Sequence, residues 1–476
     1  MLATDLEYWQ KACKKRALKH DGFLVYHVQG TGKTLTSLSI VLERYKNDGV
    51  RRVLVVGPLS AIDVWEQDLK KYCKIQYKVI PLEQCNRRER LQMKRIPKFK
   101  NKLTFVTINY ESLVKRRRSK NKGQSRRICH IFKLVKAWKP EFIVADESHK
   151  IKSRKTAQTK SLWELGDGAK YKLCCSGTPV EQSAIDLWAQ FRFACPEVLG
   201  TNFSSFKNTY CRESGYGYSK LVMRKRMSKQ LLPILHSRMD RVTKDVLNLP
   251  DIKYIRKRFS LPDQAQSQYD SMLKEAVVEI DETQFIASPN VLAKMVRLQQ
   301  ITSGYLPDQE NDGELHELHN AKIRALEQVI KKRKGQKIVI FARFVPEIHS
   351  ILDLCQDLKM RPVCIYGKIK GPERKAARLR FLKDPMTLAF VAQVRTGGVG
   401  INELRVAKTG VFYSSTFSWI DYDQAVARLH RRGQKNPVDI VNVIARGTID
   451  EDLFNSLGDK KDIAKFILSV RKRYHG

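Results

Sequence analysis

Short runs of β-branched and aromatic residues alternate along this chain with longer stretches whose apolar positions recur every three or four residues. The short runs predict strands over Phe23–Val28, Val53–Val56, Leu103–Thr107, Phe142–Ala145 and Lys172–Cys175. A second series covers Ile338–Phe341, Pro362–Tyr366, Leu388–Val391, Gly410–Tyr413 and Val438–Val443. Strands that alternate with helices are joined by crossovers, which favours parallel, doubly wound sheets. From about Cys195 to Leu318 the texture changes to mainly helical spacing, rich in Lys, Arg, Gln and Met. The expected architecture is α/β, with two parallel-sheet lobes and helical material inserted between them. No repeat of fixed period and no low-complexity segment breaks that pattern.

Length and charge narrow the picture. At 476 residues the chain is long enough for two to four domains, and 42% hydrophobic residues suffice for real cores. Lysine and arginine exceed aspartate and glutamate by 89 − 49, a formal charge of +40. A chain this basic is most simply tolerated beside a polyanion, but structural nucleic-acid proteins are equally basic, so charge names a partner and no activity. The ten cysteines contain no CxxC pair, which excludes the common zinc-finger spacings and points to reduced thiols. The opening MLATDLEYWQ carries acids where a secretory signal has a basic start. No apolar run approaches the roughly 18–20 residues of a membrane span. A soluble, intracellular protein without zinc or membrane partners is expected.

Gly30-Thr31-Gly32-Lys33-Thr34 follows an apolar strand and precedes Leu35–Tyr45, which has helical spacing. A phosphate chain needs backbone amides close at hand, which glycines permit, and a helix N-terminus for its charge. Lys33 would reach the β- and γ-phosphates, and Thr34 would hold Mg²⁺. The full eight-residue pattern opens with Gly, where this chain has His27, so the isolated match is degenerate. Asp146-Glu147-Ser148-His149 strengthens it, because these carboxylates emerge at the end of the strand Phe142–Ala145. Asp146 suits the Mg²⁺ shell, and Glu147 suits orienting and deprotonating an attacking water. The plainer reading is an acidic turn after a strand. In the string from Gln424 to Gln434, Arg428 and Arg431 are i and i+3, which on a helix places both on one face, aimed at a transferring phosphoryl group. Alone, that string reads more simply as one more basic helix in a basic protein.

In this order the residues resemble the superfamily-2 helicase motors, specifically their Snf2-like branch. Tyr8-Trp9-Gln10 looks like the Q motif, with Gln10 as adenine reader. Pro58-Leu59-Ser60 with Trp65 and Glu66 is similar to motif Ia, and Thr107 through Glu111 to motif Ib. Asp146 through Ser153 resembles the extended motif II, and Ser176-Gly177-Thr178-Pro179 motif III. Ile340 through Phe344 resembles motif IV, Arg395 through Asn402 motif V, and the Arg428/Arg431 segment closed by Gly433-Gln434 motif VI. The likeness spans about residues 6–455. The chain departs from the family at His27-Val28, where Asp-Glu is usual, at Gln393-Val394, and at Glu403.

The resemblance implies two RecA-like lobes, one at 1–195 and one at 319–476, with a mainly helical linking region at 196–318. It implies ATP held between them: by Gln10, Gly30, Thr31, Gly32, Lys33, Thr34 and Gln434, with Mg²⁺ on Thr34 and Asp146, and with catalysis by Lys33, Asp146, Glu147, Arg428 and Arg431. His149 would couple the ATP site to motif III. It further implies a DNA-dependent ATPase that translocates on duplex, forked or junction DNA without sequence preference, usually as a monomer. Ser60, Thr107, Arg343, Arg395 and Thr396 would hold the phosphate backbone. Lys115–Arg127 carries eight basic residues and no acid, and Lys115, Arg116, Arg117 and Arg118 are added as DNA contacts. Arg87–Lys102 and Arg224–Lys229 are further basic clusters. The compact motor, without room for reader modules, looks like phage or viral Snf2-like proteins, some of which act in branch migration; host cytoplasm would follow. A strand-separating helicase on single strands or RNA, a remodeller displacing proteins from DNA, and a scaffold with a dead motor remain open.

Overall fold

Each of the ten runs read as strands is a strand in the computed structural model, shifted by no more than two residues at either end. It describes residues 1–85, 87–114, 129–177, 185–214, 220–283, 289–308, 315–369, 371–397, 401 and 403–458. Two units separate, 1–247 and 248–476. The segment 196–318 is therefore divided between them.

The first unit contains β1 (Gly22–His27), β2 (Arg52–Gly57), β3 (Tyr77–Pro81), β4 (Leu103–Asn109), β5 (Phe142–Asp146) and β6 (Tyr171–Cys175). An antiparallel hairpin follows, β7 (Cys211–Ser214) and β8 (Lys220–Met223), and then β9 (Met239–Val242). Seven of these form one parallel sheet in the order β3-β4-β2-β5-β6-β1-β9. Alternate residues of each central strand enter different cores: Leu24, Tyr26, Leu54 and Val56 on one face, Phe23, Val25, Val53 and Val55 on the other. Helices cover both faces, which is why β1 reads as a continuous apolar run and is buried along its whole length. Because all strands run the same way, the carboxyl ends of β1, β5 and β6 share one rim, where Asp146 pairs in register with Cys175.

The second unit contains β10 (Ile252–Phe259), the hairpin β11 (Tyr305–Pro307) and β12 (Leu315–Glu317), then β13 (Ile338–Ala342), β14 (Val363–Ile365), β15 (Ala389–Gln393), β16 (Thr409–Phe412) and β17 (Val438–Ala445). Its parallel sheet has the order β10-β17-β16-β13-β15-β14. The two faces again separate, with Val339 and Phe341 in one core and Ile338, Ile340 and Ala342 in the other.

The linking segment is mainly helical, with helices at Phe203–Tyr210, Lys225–Ser237, Asp263–Thr283 and Pro289–Ser303. It also gives a strand to each sheet, β9 to the first and β10 to the second, neither of which the sequence pattern predicts. β10, with sequence IKYIRKRF, pairs on one side only. An edge strand with a solvated face tolerates Lys and Arg, so it lacks the apolar run that marks a central strand. Among the described residues no helix is long and apolar enough to cross a membrane.

Candidate functional site

The loop after β1 turns through Gly30 and Gly32, at φ +90° and +81°, before the helix Lys33–Asp48. These left-handed conformations bring successive amides to the rim, and side-chain-bearing residues rarely adopt them. Gly32 has a second constraint, because a Cβ there would lie 2.4 Å from Gln10 Nε2. Gln10 is buried beneath the loop, donating to the carbonyls of Thr31 at 3.0 Å and Gly32 at 3.3 Å and accepting from Glu7 N at 2.9 Å. Trp9 Nε1 adds a bond to Thr31 O at 3.2 Å. The residue expected as adenine reader thus braces the phosphate loop from below.

Asp146 ends β5 and is buried, with Oδ2 accepting from Trp65 Nε1 and Oδ1 from Glu147 N, both at 2.9 Å. Tyr110 OH donates to its carbonyl at 2.8 Å. Trp65 lies on the helix Leu59–Tyr72 and Tyr110 follows β4, so motifs Ia and Ib both lock motif II. Burial, then the neighbouring Glu147 charge, push the Asp146 carboxyl up to about 6, while Lys33 opposes them. Lys33 Nζ also lies 3.4 Å from where a Cβ on Gly177 would sit, so motif III packs on the loop lysine. Glu147 is left-handed, at φ +50° and ψ +51°, a conformation that costs a side-chain-bearing residue about 1–2 kcal/mol. The turn swings Glu147 out of the strand direction toward His149, whose Nδ1 lies 3.3 Å from both Glu147 Oε2 and Ser176 Oγ. His149 thereby bridges motifs II and III.

In the second unit the expected helical pairing of Arg428 and Arg431 needs correction. The helix Trp419–Leu429 stops before Arg431, because His430 leaves helical geometry at φ −93° and ψ +80° and its Nε2 meets Pro250 O at 2.7 Å. Arg428 lies in the last helical turn and Arg431 in the turn beyond, so helix periodicity does not align them. Gly433, at φ +91°, continues that turn where a Cβ would meet Arg405. Gln434 donates to the carbonyls of Arg405, Ala407 and Leu429 and accepts from the amides of Lys435 and Asn436. Its amide is spent on holding the turn rather than facing outward.

The profile of the SNF2-related domain matches residues 9–304, and that of the helicase conserved C-terminal domain matches residues 321–433. The chain belongs to the SNF2-related family. An uncharacterised ATP-dependent helicase of Mycoplasma genitalium is 24% identical over 470 residues, covering 97% of this chain and 42% of that protein. The transcription regulatory protein SNF2 of Saccharomyces cerevisiae is 25% identical over 477 residues, 93% of this chain and 26% of its own. The DNA repair and recombination protein RDH54 of the same species, strain YJM789, is 24% identical over 493 residues, 92% and 51% respectively. This SNF2-related chain therefore spans about half or less of the length of those relatives. Among solved structures, the Sulfolobus solfataricus SWI2/SNF2 ATPase core in complex with dsDNA is 23% identical, covers 96% of this chain and 92% of that one, and gives a TM-score of 0.43.

The nucleic-acid candidates of this SNF2-related chain lie in differing settings. Thr107, expected on a DNA-facing surface, is 1% exposed, and its hydroxyl donates to both Glu83 oxygens at 2.9 and 3.0 Å. Thr107 lies inside β4, and Glu83, just after the neighbouring strand β3, closes over it and leaves its hydroxyl no free face. Arg343 is half-buried, bonded to Gln299 and stacked over Phe417 at 4.5 Å, and burial pushes its guanidinium down to about 10. Arg395 is 76% exposed and lies 3.3 Å from Asp421. Lys115, Arg116, Arg117 and Arg118, and the side chains of Ser60 and Thr396, fall outside the described residues. Part of the 87–102 charge is structural: Arg90 donates to Ser112 Oγ and Glu83 O at 3.0 Å. Sequence reasoning places Trp65 and Tyr110 in their motifs but gives them no role; their hydrogen bonds to Asp146 become visible only in three dimensions.

Proposed function

We propose that this chain is a DNA-dependent ATPase, a translocating motor on duplex or branched DNA, suited to fork remodelling or branch migration. The observation that carries the reading is the assembly of Lys33, Asp146, Glu147 and His149 around a glycine loop at one sheet rim. A carboxylate pushed up by burial and then by a like-charged neighbour is what a divalent cation relieves, and Asp146 with the Thr34 hydroxyl offers the hard oxygen donors Mg²⁺ takes. When bound, Mg²⁺ offsets charge on the β- and γ-phosphate oxygens. The loop amides from Gly30 to Thr34 and the Lys33 ammonium bind the phosphates. Glu147 orients the attacking water and accepts its proton at the carboxylate, while His149 fixes the Glu147 rotamer and relates it to Ser176. Arg428 and Arg431 are assigned to charge neutralisation on the transferring group from the family pattern.

DNA as the track is supported by the charge of +40 and by the name of one relative, a DNA repair and recombination protein. The test is ATPase rate without nucleic acid and with single strands, duplex, fork, four-way junction and RNA, against a Glu147→Gln control. Stimulation by duplex, and more by junctions, is expected. Stimulation by single strands or RNA alone would indicate a strand-separating helicase. A rate no higher than that of Glu147→Gln on every substrate would leave the motor reading without support and favour a scaffold.

A further inference from the structure

Cys13, His27 and Asp240 come from three distant stretches: the helix Tyr8–Ala17, the end of β1, and β9. One donor atom of each lies within 4.8 Å of the others, which among the described residues is true of no other such trio. Cys13 and His27 are fully buried, and the Asp240 side chain is 13% exposed. Asp240 accepts from His27 Nε2 at 2.7 Å and from Arg16 Nη1 at 2.6 Å. His27 keeps its other ring nitrogen, Nδ1, buried and without a hydrogen-bond partner among the described residues. Burial, then the charge of Asp240, push the Cys13 thiol well above its ordinary range, so it holds its proton unless a cation replaces it.

A brace for Asp240 needs only Arg16 and His27. The Cys13 thiol also hydrogen-bonds Asp240, so thiol, imidazole and carboxylate converge on one buried point. Thiolate, imidazole and carboxylate together form a mixed soft and hard donor set that suits zinc and its near neighbours. Tetrahedral coordination at ordinary zinc bond lengths separates ligand atoms by about 3.3–3.6 Å. The trio is within reach of that spacing, and the His27–Asp240 contact, 2.7 Å here, has to open by about 0.6–0.9 Å. We propose that Cys13, His27 and Asp240 form a three-ligand site for a divalent ion of the zinc class. Binding releases the thiol proton of Cys13 to solvent, with His27 neutral and Asp240 ionised.

The site lies three residues after Gln10 and three before Gly30. An ion there ties the Gln10 helix, the strand feeding the phosphate loop and the last strand of the sheet to one another. Sequence spacing could not have revealed it, since His27 and Asp240 are 213 residues apart. The proposal stands apart from the ATPase reading, and either can fail alone.

The experiment uses the full chain, expressed without a histidine tag in zinc-supplemented medium, dialysed, and assayed for metal by mass spectrometry. Co²⁺ is then exchanged in and its absorption recorded. Near-stoichiometric zinc is expected, and the Co²⁺ form should show a thiolate charge-transfer band. Cys13→Ser should abolish that band while Cys73→Ser keeps it. Chelation should lower the Tm of the unmodified chain and leave that of Cys13→Ser unmoved. If Cys13→Ser does not fold, His27→Gln gives the second readout, and its zinc should be lost on dialysis. Absence of retained metal, or a Co²⁺ spectrum indifferent to both Cys13→Ser and His27→Gln, overturns the site and leaves a plain Arg16–Asp240–His27 ion-pair brace.

Discussion

Trp65 Nε1 donates to Asp146 Oδ2 at 2.9 Å, so a helix that follows β2 fixes the carboxylate that ends β5. Two motifs 81 residues apart are thereby one unit. Removing the donor leaves a buried charged oxygen short of a partner, a loss of about 1–3 kcal/mol. Trp65→Phe should cut ATP turnover roughly ten-fold or more, since about 1.4 kcal/mol is one decade in rate. Because this bond holds the Asp146 carboxyl down, its loss should also move the acid limb of the pH–rate profile to higher pH. Steady-state ATPase across pH, with DNA affinity as control, checks both; an unchanged profile would show the bond to be incidental.

Gly32 sits at φ +81° with Gln10 Nε2 where its Cβ would be. Gly32→Ala should therefore lose nucleotide affinity for two separable reasons, backbone strain of about 1–2 kcal/mol and a clash with the amide. In a Gln10→Ala background the clash disappears and only the strain remains. A double-mutant cycle on nucleotide affinity should give a coupling energy clearly different from zero. Strict additivity would mean that Gln10 and the loop act independently.

Much of this could be read from the chain alone. Central strands such as β1 and β5 are buried on both faces and so announce themselves as apolar runs. Lys33, Asp146 and Glu147 stand next to those strand ends in sequence, which is why the core of the candidate site was legible. What escaped was decided by partners remote in sequence. β10 is basic because its outer edge meets water, and Thr107 looks like a surface hydroxyl until Glu83 closes over it. Arg431 seemed to follow Arg428 on a helix, because nothing local says that His430 will turn to the carbonyl of Pro250.

Glu83 is the clearest titrating group outside the ATP site. Burial raises its carboxyl to about 7, against the hydrogen bonds from its own backbone and from Thr107. A carboxyl raised on folding favours its protonated form, so the folded state loses stability as pH climbs from the unfolded value, near 4.3, to about 7. Glu83→Gln keeps an oxygen for Thr107 and removes the buried charge. The variant should melt a few degrees above the unmodified chain at about pH 8, with the gap closing toward about pH 5. A gap that is equal at both would assign the effect to packing.

Lys322 and Asp450 form an ion pair at 3.0 Å with side chains 1% and 3% exposed. Asp450 also takes the Thr302 hydroxyl at 3.3 Å and the Ala445 amide at 3.4 Å. Lys322→Met leaves a buried carboxylate without its cation and should destabilise the second unit by about 3–5 kcal/mol. Lys322→Met with Asp450→Asn should recover part of that. Denaturant unfolding of the single and double variants distinguishes this from a solvated pair, for which the single change would be nearly silent.

Neutralising Lys115, Arg116, Arg117 and Arg118 to Gln should weaken DNA binding and flatten its salt dependence, with DNA-independent ATPase unchanged. Each phosphate left without its cation lowers the slope of log affinity against log salt by about 0.9. Titrations at several salt concentrations give the slope directly, and an unaltered slope would remove these residues from the DNA track.

β9 completes the hydrogen bonding of β1 from the far side of the helical excursion. During synthesis β1 emerges first, and its neighbours β6 and β9 follow about 150 and 215 residues later, so the strand that feeds the phosphate loop waits with open edges. Such an edge invites pairing with another nascent chain. Expression fragments cut at the end of the strand–helix alternation, near Cys195, would keep every motif of the first lobe and still lack the strand that seals it. Truncations meant to isolate the nucleotide-binding half should therefore run through Val242, and chaperone demand should fall sharply once that point has left the ribosome.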